Sequence, residues 1–431
     1  MRTRTALLGA ALLCTALTLT ACSSGGTAPA STSKVTLTLW HNYGTSQNAV
    51  ATASLVAAYE KAHTNVTIKV VSQPGDNYFS LLQASAISHT SPDLAVMWTG
   101  LYALKYKKLF INLKGQVPAK ALSKVEGLEW SATDFDATKG PTVMPLDRQF
   151  YIGFYNKALF ASAGITSVPT SWGDLANACS ALKAQGVTPI VYGNGGQSLG
   201  AAFYPWYDAS YLLAGTHSVA ELRGIYNGKI SWTDSAIIAQ FSKWQTLKKS
   251  GCTNSDAQTK TDNLTDFTSG KAAMIIDGTW DTKLFTDAMK DNVAPFVPPF
   301  SDQPMKGVVE FAGGGFGVTK ASVNSKAAVD FLTYLTTPAA AKIIDASGLI
   351  SDLKGAKSTN PVNQAMLEFA TRGGYTRYPM LDNVIQPDVA DVGSKVLPPV
   401  LGGGTLPETA LGQMSDALNK LPVEQRGATY K

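Results

Sequence analysis

The sequence predicts an α/β protein in which short buried strands alternate with amphipathic helices. Residues 35–40 are apolar at every second position, the period of a strand, whereas 47–62 carry apolar residues at helical spacing. A second strand is predicted over 66–71. This alternation indicates βαβ units and a parallel sheet, with ligands bound beyond the carboxyl ends of the strands. At 431 residues, the chain is long enough for two or three such units.

The rest of the chain continues the alternation. In order, we expect a helix over 78–87, strands over 92–98 and 151–156, a helix over 171–185, a strand over 189–192, helices within 200–250, a strand over 272–276, and helices over 325–336 and 338–346. Ser171 followed by Asp174 favours a capped helix start, and Gly186 favours its end. The glycine run 313–317 predicts a flexible or tightly packed crossover.

The first 33 residues predict an export signal and a tether. Two arginines precede an uncharged run that is too short to cross a bilayer as a mature helix but fits a signal peptide over 1–21. The run ends in Leu19-Thr20-Ala21-Cys22, which resembles the bacterial lipobox and implies acylation of Cys22, palmitate included. Ordinary cleavage with Cys22 incidental is the alternative. After Cys22 the chain contains only Ser, Thr, Gly, Ala and Pro up to residue 33, so we expect residues 22–33 to form a flexible tether.

Four cysteines constrain the covalent chemistry. With Cys14 lost in the signal and Cys22 acylated, Cys179 and Cys252 remain. Two thiols in an oxidising compartment favour a disulfide, although two buried free cysteines stay open as an alternative. No His/Cys cluster has zinc-ligand spacing, so we expect neither a metal site nor a cofactor.

Charge and motif context exclude several functions. The net charge is +5 and no run of Lys and Arg exceeds two residues, so nucleic-acid binding is not expected. The stretch Gly196-Gln197-Ser198-Leu199-Gly200 matches a hydrolase nucleophile elbow, but further glycines separate it from the preceding strand, so we interpret it as a chance match. A pair of carboxylates for glycoside hydrolysis stays open, because sequence shows no distances.

Aromatic and polar residues stand together at the ends of several predicted strands and in loops. Flat rings stack on the apolar face of a sugar, while fixed polar groups bond its hydroxyls. The candidate ligand-binding residues are Trp40, His41, Trp98, Thr99, Asp147, Arg148, Trp206, Tyr207 and Trp280, with Gly314 and Phe316 of the glycine run.

Short motifs follow one another in a characteristic order along residues 34–431. They are Leu37-Thr38-Leu39-Trp40-His41, Ser91-Pro92-Asp93-Leu94, Tyr155-Asn156-Lys157, Thr170 to Leu175, Lys183 to Ile190, Phe267 to Met274, Asp277-Gly278-Thr279-Trp280 and Ala327 to Leu335. Together they resemble the extracellular solute-binding proteins of carbohydrate ABC importers, the maltose-binding-protein-like family 1.

The resemblance implies a periplasmic-binding-protein-like fold of two α/β lobes, which close over sugar about a hinge that the chain crosses three times. The crossings are expected near 147–151, 309–315 and 353–360. The N-terminal lobe would comprise 34–147 and 312–353, and the C-terminal lobe 148–311 and 354–431. The glycine run would then absorb backbone changes at the hinge.

The same resemblance implies which residues touch sugar. Trp40 with His41, Trp98 with Thr99, and Trp280 occupy the usual contact positions. Asp147 and Arg148 depart from the small or apolar residues usual at the first crossing. Arg148 is therefore either a sugar contact or part of a hinge salt bridge.

The resulting hypothesis is a non-enzymatic, monomeric receptor on the extracytoplasmic face of the cell membrane, held there by its lipid alone. It would capture an oligosaccharide and deliver it to the permease subunits of an ABC importer. One alternative is a cell-surface polysaccharide-cleaving enzyme. The other is the same fold binding a non-sugar solute such as a polyamine, a phosphate ester or ferric ion, which would require several acids or a Tyr/His cluster.

Overall fold

The structure is a computed structural model. It describes residues 33–427, apart from residues 76, 133–135, 194–202 and 372. The expected signal peptide, Cys22, nearly all of the tether and Ser198 lie outside the described residues. None of the described helices combines the length and the apolar character needed to cross a membrane.

Strands and helices alternate along the described chain. The strands are β1 (Val35–His41), β2 (Val66–Ser72), β3 (Leu94–Met97), β4 (Met144–Pro145), β5 (Asp147–Asn156), β6 (Thr188–Val191), β7 (Ala272–Gly278), β8 (Val293–Phe296), β9 (Gly307–Ala312), β10 (Gly315–Val318), β11 (Ile350–Ser351) and β12 (Thr376–Tyr378). The helices are α1 (Gln47–Ala62), α2 (Tyr78–Ile87), α3 (Leu101–Tyr106), α4 (Ala119–Leu122), α5 (Lys157–Ser162), α6 (Trp172–Ala184), α7 (Phe203–Ala214), α8 (Val219–Tyr226), α9 (Ser235–Lys249), α10 (Asn263–Thr268), α11 (Thr282–Met289), α12 (Ser325–Leu335), α13 (Pro338–Ala346), α14 (Pro361–Thr371), α15 (Leu381–Val384), α16 (Pro387–Leu401) and α17 (Pro407–Lys420). The α/β class is confirmed.

The described strands form two sheets of mixed direction. The first has the order β2-β1-β3-β10-β4, and the second the order β12-β9-β5-β7-β6, with β8 and β11 also paired to β5. Strand β1 runs parallel to β2 and β3, but β10 runs antiparallel to β3. The parallel sheet predicted from the βαβ units is present in β1, β2 and β3, whereas β10 joins it in the antiparallel direction. Strand β10 enters the first sheet beside the carboxyl end of β3, so it must run in the opposite direction.

Each sheet has its own hydrophobic packing. One core draws on residues 37–146 and 316–349. Two others cover the second sheet and draw on residues between 150 and 418. We call these parts the first lobe and the second lobe. The chain passes between them three times, near residues 146–150, 309–316 and 349–362; in the third passage Ile350 already packs in the second lobe while Leu353 still packs against the first.

Short polar contacts explain two of the sequence motifs. The hydroxyl of Ser171 accepts the backbone N–H of Asp174 at 3.2 Å and caps α6. The carboxylate of Asp93 accepts the Thr38 N–H at 2.9 Å and the Ser322 hydroxyl at 2.6 Å. Asp93 therefore ties β1 to the segment after β10, at the amino end of β3.

The glycine run is packed tightly. Gly315 and Gly317 belong to β10. A Cβ at Gly315 would collide with the carbonyl of Met144, and one at Gly317 with the ring of Phe110. Because neighbouring segments approach so closely, only glycine fits at these two positions. Of the two interpretations given for the glycine run, a flexible or a tightly packed crossover, the structure shows the tightly packed one.

A disulfide joins Cys179 in α6 to Cys252 after α9. Their Cα atoms are 5.2 Å apart, and 73 residues separate them in sequence. Both are buried in the core of the second lobe. The bond closes a long loop of the second lobe around α7, α8 and α9.

We expect the double variant Cys179→Ala/Cys252→Ala to unfold with a free energy about 2–4 kcal/mol lower than the parent, because the cross-link restricts the unfolded chain. Urea unfolding followed by circular dichroism measures this difference. Dithiothreitol should destabilise the parent by a similar amount and leave the double variant unchanged. Equal stability of the two proteins would contradict the prediction.

Candidate functional site

The lobes touch near the carboxyl ends of β1 and β3. Helix α1, which follows β1, contacts residues 279–281 of the second lobe. The hydroxyl of Thr99, just after β3, donates to the carbonyl of Ala312 and accepts the side-chain amide of Asn383 at 3.1 Å. We define the cleft as the seam formed by Tyr43, Asn48, Trp98, Asp147, Gln149, Gly314 and Trp280.

An aromatic wall borders the cleft on the first lobe. The half-buried rings of Phe79 and Tyr102 lie 4.9 Å and 5.0 Å from that of Trp98, edge to face, and 5.4 Å from each other. A Cβ at Gly314 would lie 3.2 Å from the indole of Trp98. The wall therefore stands directly beside the second crossing. Phe79 and Tyr102 were not anticipated, because on helices their spacing looks like that of core residues.

Polar groups without partners lie at the centre of the cleft. Asp147 is fully buried, and Gln149 donates to its Oδ2 at 2.9 Å. Within the described part of the chain, neither its Oδ1 nor the buried hydroxyl of Tyr43 forms a hydrogen bond of good geometry, although the side-chain amide of Asn48 lies close enough to favour the charged form of Asp147. Burial raises the pKa of Asp147 to about 7, with Gln149 opposing the rise. Burial and the charge of Asp147 raise the pKa of Tyr43.

Trp280 forms the wall of the second lobe. Its ring is half-buried and folds over Gly278, where a Cβ would collide with it. The ring of Tyr207 lies 6.4 Å away. The buried indole N–H of Trp280 forms no hydrogen bond of good geometry, but it lies close to the buried carboxylate of Asp277, whose pKa it lowers against the effect of burial. This wall thus presents an aromatic ring to the cleft.

A buried carboxylate supports this wall from behind. Asp208 accepts hydrogen bonds from the hydroxyls of Tyr151 and Tyr192 at 3.0 Å and 2.5 Å, and from the indole of Trp244 at 2.9 Å. Burial raises its pKa to about 7, although the three donors oppose the rise. The ring of Tyr151 lies 5.3 Å from that of Tyr207, so the network holds the aromatic groups in place.

Five of the residues predicted from the sequence lie at the cleft or directly beside it: Trp98, Thr99, Asp147, Gly314 and Trp280. Trp40 is half-buried against the core of the first lobe. His41 is buried, and its Nδ1 accepts the backbone N–H of Tyr43 at 3.2 Å, so it orders the loop before α1. Tyr207 is buried behind Trp280.

The other predicted residues have structural positions. Trp206 and Phe316 are fully buried in the cores of the second and first lobe, so the site proposed below omits them. Arg148 donates to Glu310 at 2.5 Å and forms a salt bridge between two crossings. The hinge salt bridge, one of the two roles considered for Arg148, is therefore present.

A cavity of about 610 Å³ lies apart from the cleft. Of the predicted residues it contains Arg148 but none of the aromatic groups. Within the described residues, no group of His, Cys, Asp and Glu side chains is arranged to hold a metal ion.

Known proteins share both the sequence pattern and the fold. A family profile described as "Bacterial extracellular solute-binding protein" matches residues 43–342. Among curated proteins none is detectably similar in sequence.

Three solved structures illustrate the similarity in fold. A chitin oligosaccharide binding protein has 23% identity and a TM-score of 0.77, covering 91% of this chain and 99% of its own. An ABC substrate-binding protein from Listeria monocytogenes, in complex with cycloalternan, has 19% identity and a TM-score of 0.71, with coverages of 90% and 98%. The GacH receptor of Streptomyces glaucescens, studied with acarbose, has 18% identity and a TM-score of 0.73, with coverages of 90% and 98%.

The raised pKa of Asp147 leads to a prediction about stability. The folded protein binds the proton more tightly than the unfolded chain, so the stability that protonated Asp147 provides is lost as pH rises from about 4 through about 7. Asp147→Asn avoids this loss. Its free energy of unfolding relative to the parent should increase by about 1–3 kcal/mol between pH 5 and pH 8.

Urea unfolding at both pH values measures the change, with Asp302→Asn as the exposed control that should show none. If the free energies of unfolding of Asp147→Asn and the parent differ by the same amount at both pH values, the pKa of Asp147 is not raised and the prediction is wrong.

Proposed function

We propose that the chain, which belongs to the family of bacterial extracellular solute-binding proteins, is the receptor of a carbohydrate ABC importer. It captures an oligosaccharide in the cleft and delivers it to the permease subunits in the membrane. The family consists of binding proteins, so the chain is not an enzyme. The alternative of a polysaccharide-cleaving enzyme has no support.

The main support for the proposal is that the cleft contains both aromatic rings and buried polar atoms without hydrogen-bond partners. Trp98 and Trp280 present rings from opposite lobes. Asp147 offers a buried carboxylate oxygen and Tyr43 a buried hydroxyl, neither of which forms a hydrogen bond of good geometry with the described residues. Buried polar atoms are almost always satisfied, so such a group at a cleft indicates a polar ligand. A pyranose has both an apolar face and a rim of hydroxyls, which fits this combination.

The similar structures support the same ligand class. Their descriptions name chitin oligosaccharide, cycloalternan and acarbose as the ligands of those proteins. All of these are saccharides or saccharide analogues longer than one ring. Another similar structure, that of the receptor AcbH, is described with an exclusive preference for β-D-galactopyranose, a single ring, so the similar structures support a saccharide of either length. We favour an oligosaccharide because aromatic rings line the cleft on both lobes.

Binding would operate by population shift. A sugar that touches both lobes does so only when they are close together, so it stabilises that arrangement. The crossings at Arg148, Ala312 and Ile350 are adjacent strands and provide a narrow strip about which the lobes rotate. The permease would recognise the closed form.

The amino-terminal segment completes the proposal. Cleavage before Cys22 and acylation of its thiol would leave the receptor on the extracytoplasmic face, with 22–33 as its tether. The oligosaccharide, the permease and the membrane surface are then the partners of a monomeric protein.

We expect Trp280→Ala to weaken oligosaccharide binding by about 1–3 kcal/mol, because the ring is lost from a desolvated stacking contact. Trp98→Ala should have a similar effect. Titration with a panel of mono- and oligosaccharides, followed by tryptophan fluorescence and calorimetry, measures the affinity.

Trp232→Phe is the matched control, since Trp232 is fully buried in the core of the second lobe away from the cleft. Unchanged affinity in both alanine variants would remove these rings from the site. If the folded parent binds none of the saccharides, the carbohydrate proposal is wrong and a non-sugar solute becomes the favoured ligand.

A second prediction concerns the anchor. In a bacterial host, the parent should sediment with membranes and incorporate labelled palmitate, whereas Cys22→Ser should be released into the soluble extracytoplasmic fraction. Cys14→Ser should behave like the parent. Membrane retention of Cys22→Ser without label in either protein would contradict lipidation.

A further inference from the structure

The cavity of about 610 Å³ shares no lining residue with the set that defines the cleft. Successive side chains of a strand point to opposite faces, so Arg148 and Asp147 of β5 point away from each other. Asp147 lies in the cleft, and Arg148 lines the cavity. Asn383 contacts Thr99 on the cleft side, whereas the next residue, Val384, lines the cavity. The cavity and the cleft therefore take their side chains from opposite faces of β5.

Both lobes contribute to this cavity. The segment from Glu126 to Trp130 belongs to the first lobe, and helix α8 and the end of β12 belong to the second. The volume falls in the range of about 300–1,000 Å³ that is typical of small-molecule sites. The cavity can thus hold a ligand rather than a few waters alone.

Charge is distributed unevenly between the rim and the interior. Arg223 and Arg377 are exposed and stand at the rim. In the interior, Oε1 of Glu310 pairs with Arg148 and, at 3.7 Å, also with Arg377 from the rim; the side chains of Arg148 and Glu310 are only 10% exposed. Asp352 is 3% exposed and Glu126 is half-buried. The interior therefore carries more negative than positive charge.

Asp352 is the decisive residue. Both of its carboxylate oxygens are buried and have no hydrogen-bond partner within the described residues, and the same holds for Oε2 of Glu310. Burial, and then the charges of Asp147, Glu310 and Glu126, raise the pKa of Asp352, against the opposing effect of Arg148. An isolated buried carboxylate is costly, and a positively charged ligand group would remove that cost.

The walls suit an organic rather than an inorganic cation. Trp130, Tyr226, Phe311 and Tyr378 line the cavity together with the acids. Aromatic faces attract ammonium groups at short range and accommodate their apolar substituents. A bare metal ion would instead need a cluster of ligating side chains, and the described residues contain none.

We propose that this cavity is a second binding site, which takes a small organic ammonium compound through Asp352, Glu310 and the surrounding aromatic side chains. The cation would pair with the carboxylates in the interior, and its apolar body would contact the rings. The site is distinct from the sugar cleft and does not depend on the identity of the sugar.

Choline and its neutral isostere 3,3-dimethylbutan-1-ol provide the test, since they share their shape and differ in charge. Calorimetric titration of the soluble protein should show one bound choline and at least tenfold weaker binding of the neutral compound. Asp352→Asn should weaken choline binding at least tenfold, and Glu126→Gln, at the half-buried acid, should weaken it as well. Asp330→Asn, on the exposed face of α12, should leave it unchanged.

Trp280→Ala separates the two sites, because choline bound in the cavity should keep its affinity in this variant. The proposal is overturned by equal binding of choline and the alcohol, by undetectable binding of choline at tens of millimolar, or by loss of choline binding in Trp280→Ala. Unchanged affinity in both folded acid variants would also overturn it.

Discussion

The arrangement of the two lobes depends on one constraint: the strand that contains Arg148 lies between the two other strands by which the chain crosses from lobe to lobe. In β5 this residue pairs with Ala312 of β9 on one side and with Ile350 of β11 on the other. All three passages between the lobes are therefore fixed side by side in one short strip of sheet. The salt bridge from Arg148 to Glu310 adds a side-chain link within that strip. This strip is therefore the hinge about which the proposed closure of the lobes would occur.

The same strip distributes chemistry to its two faces. Asp147 and Gln149 point towards the cleft, and Arg148 points to the cavity on the other side. Each face carries buried polar atoms without partners, which a folded protein retains only at a cost. Asp208 shows the contrast, because three donors satisfy it within the core of the second lobe. Partnerless groups that face a space between the lobes fit ligand sites better than structural ones.

Local periodicity was enough to predict much of the fold. The helices α1 and α2 have the bounds that their apolar spacing predicted, and the cap at Ser171 followed from its local sequence. The direction of β10 did not follow, because it depends on the path of the chain between lobes. The short strands β11 and β12 were not predicted, since they carry too few residues to show a period.

The site was predicted in part, for a related reason. Trp98 and Trp280 follow strands, so their position in sequence indicated the edge of a sheet. Phe79 and Asn383 reach the interlobe region from helices, and only the packed structure brings them there. Trp206 and Phe316 are aromatic like the proposed contacts, yet they fill the cores. Sequence does not show which face of an element is buried against its own lobe.

The most direct test of the account is the distance between the lobes with and without sugar. Val50 on α1 is 47% exposed and Leu284 on α11 is 41% exposed, so spin labels at Val50→Cys and Leu284→Cys leave both cores intact. Double electron–electron resonance on the soluble protein should give a shorter and narrower distance distribution once a bound oligosaccharide saturates the cleft. An identical distribution with and without a sugar that is shown to bind would contradict closure of the lobes over the ligand.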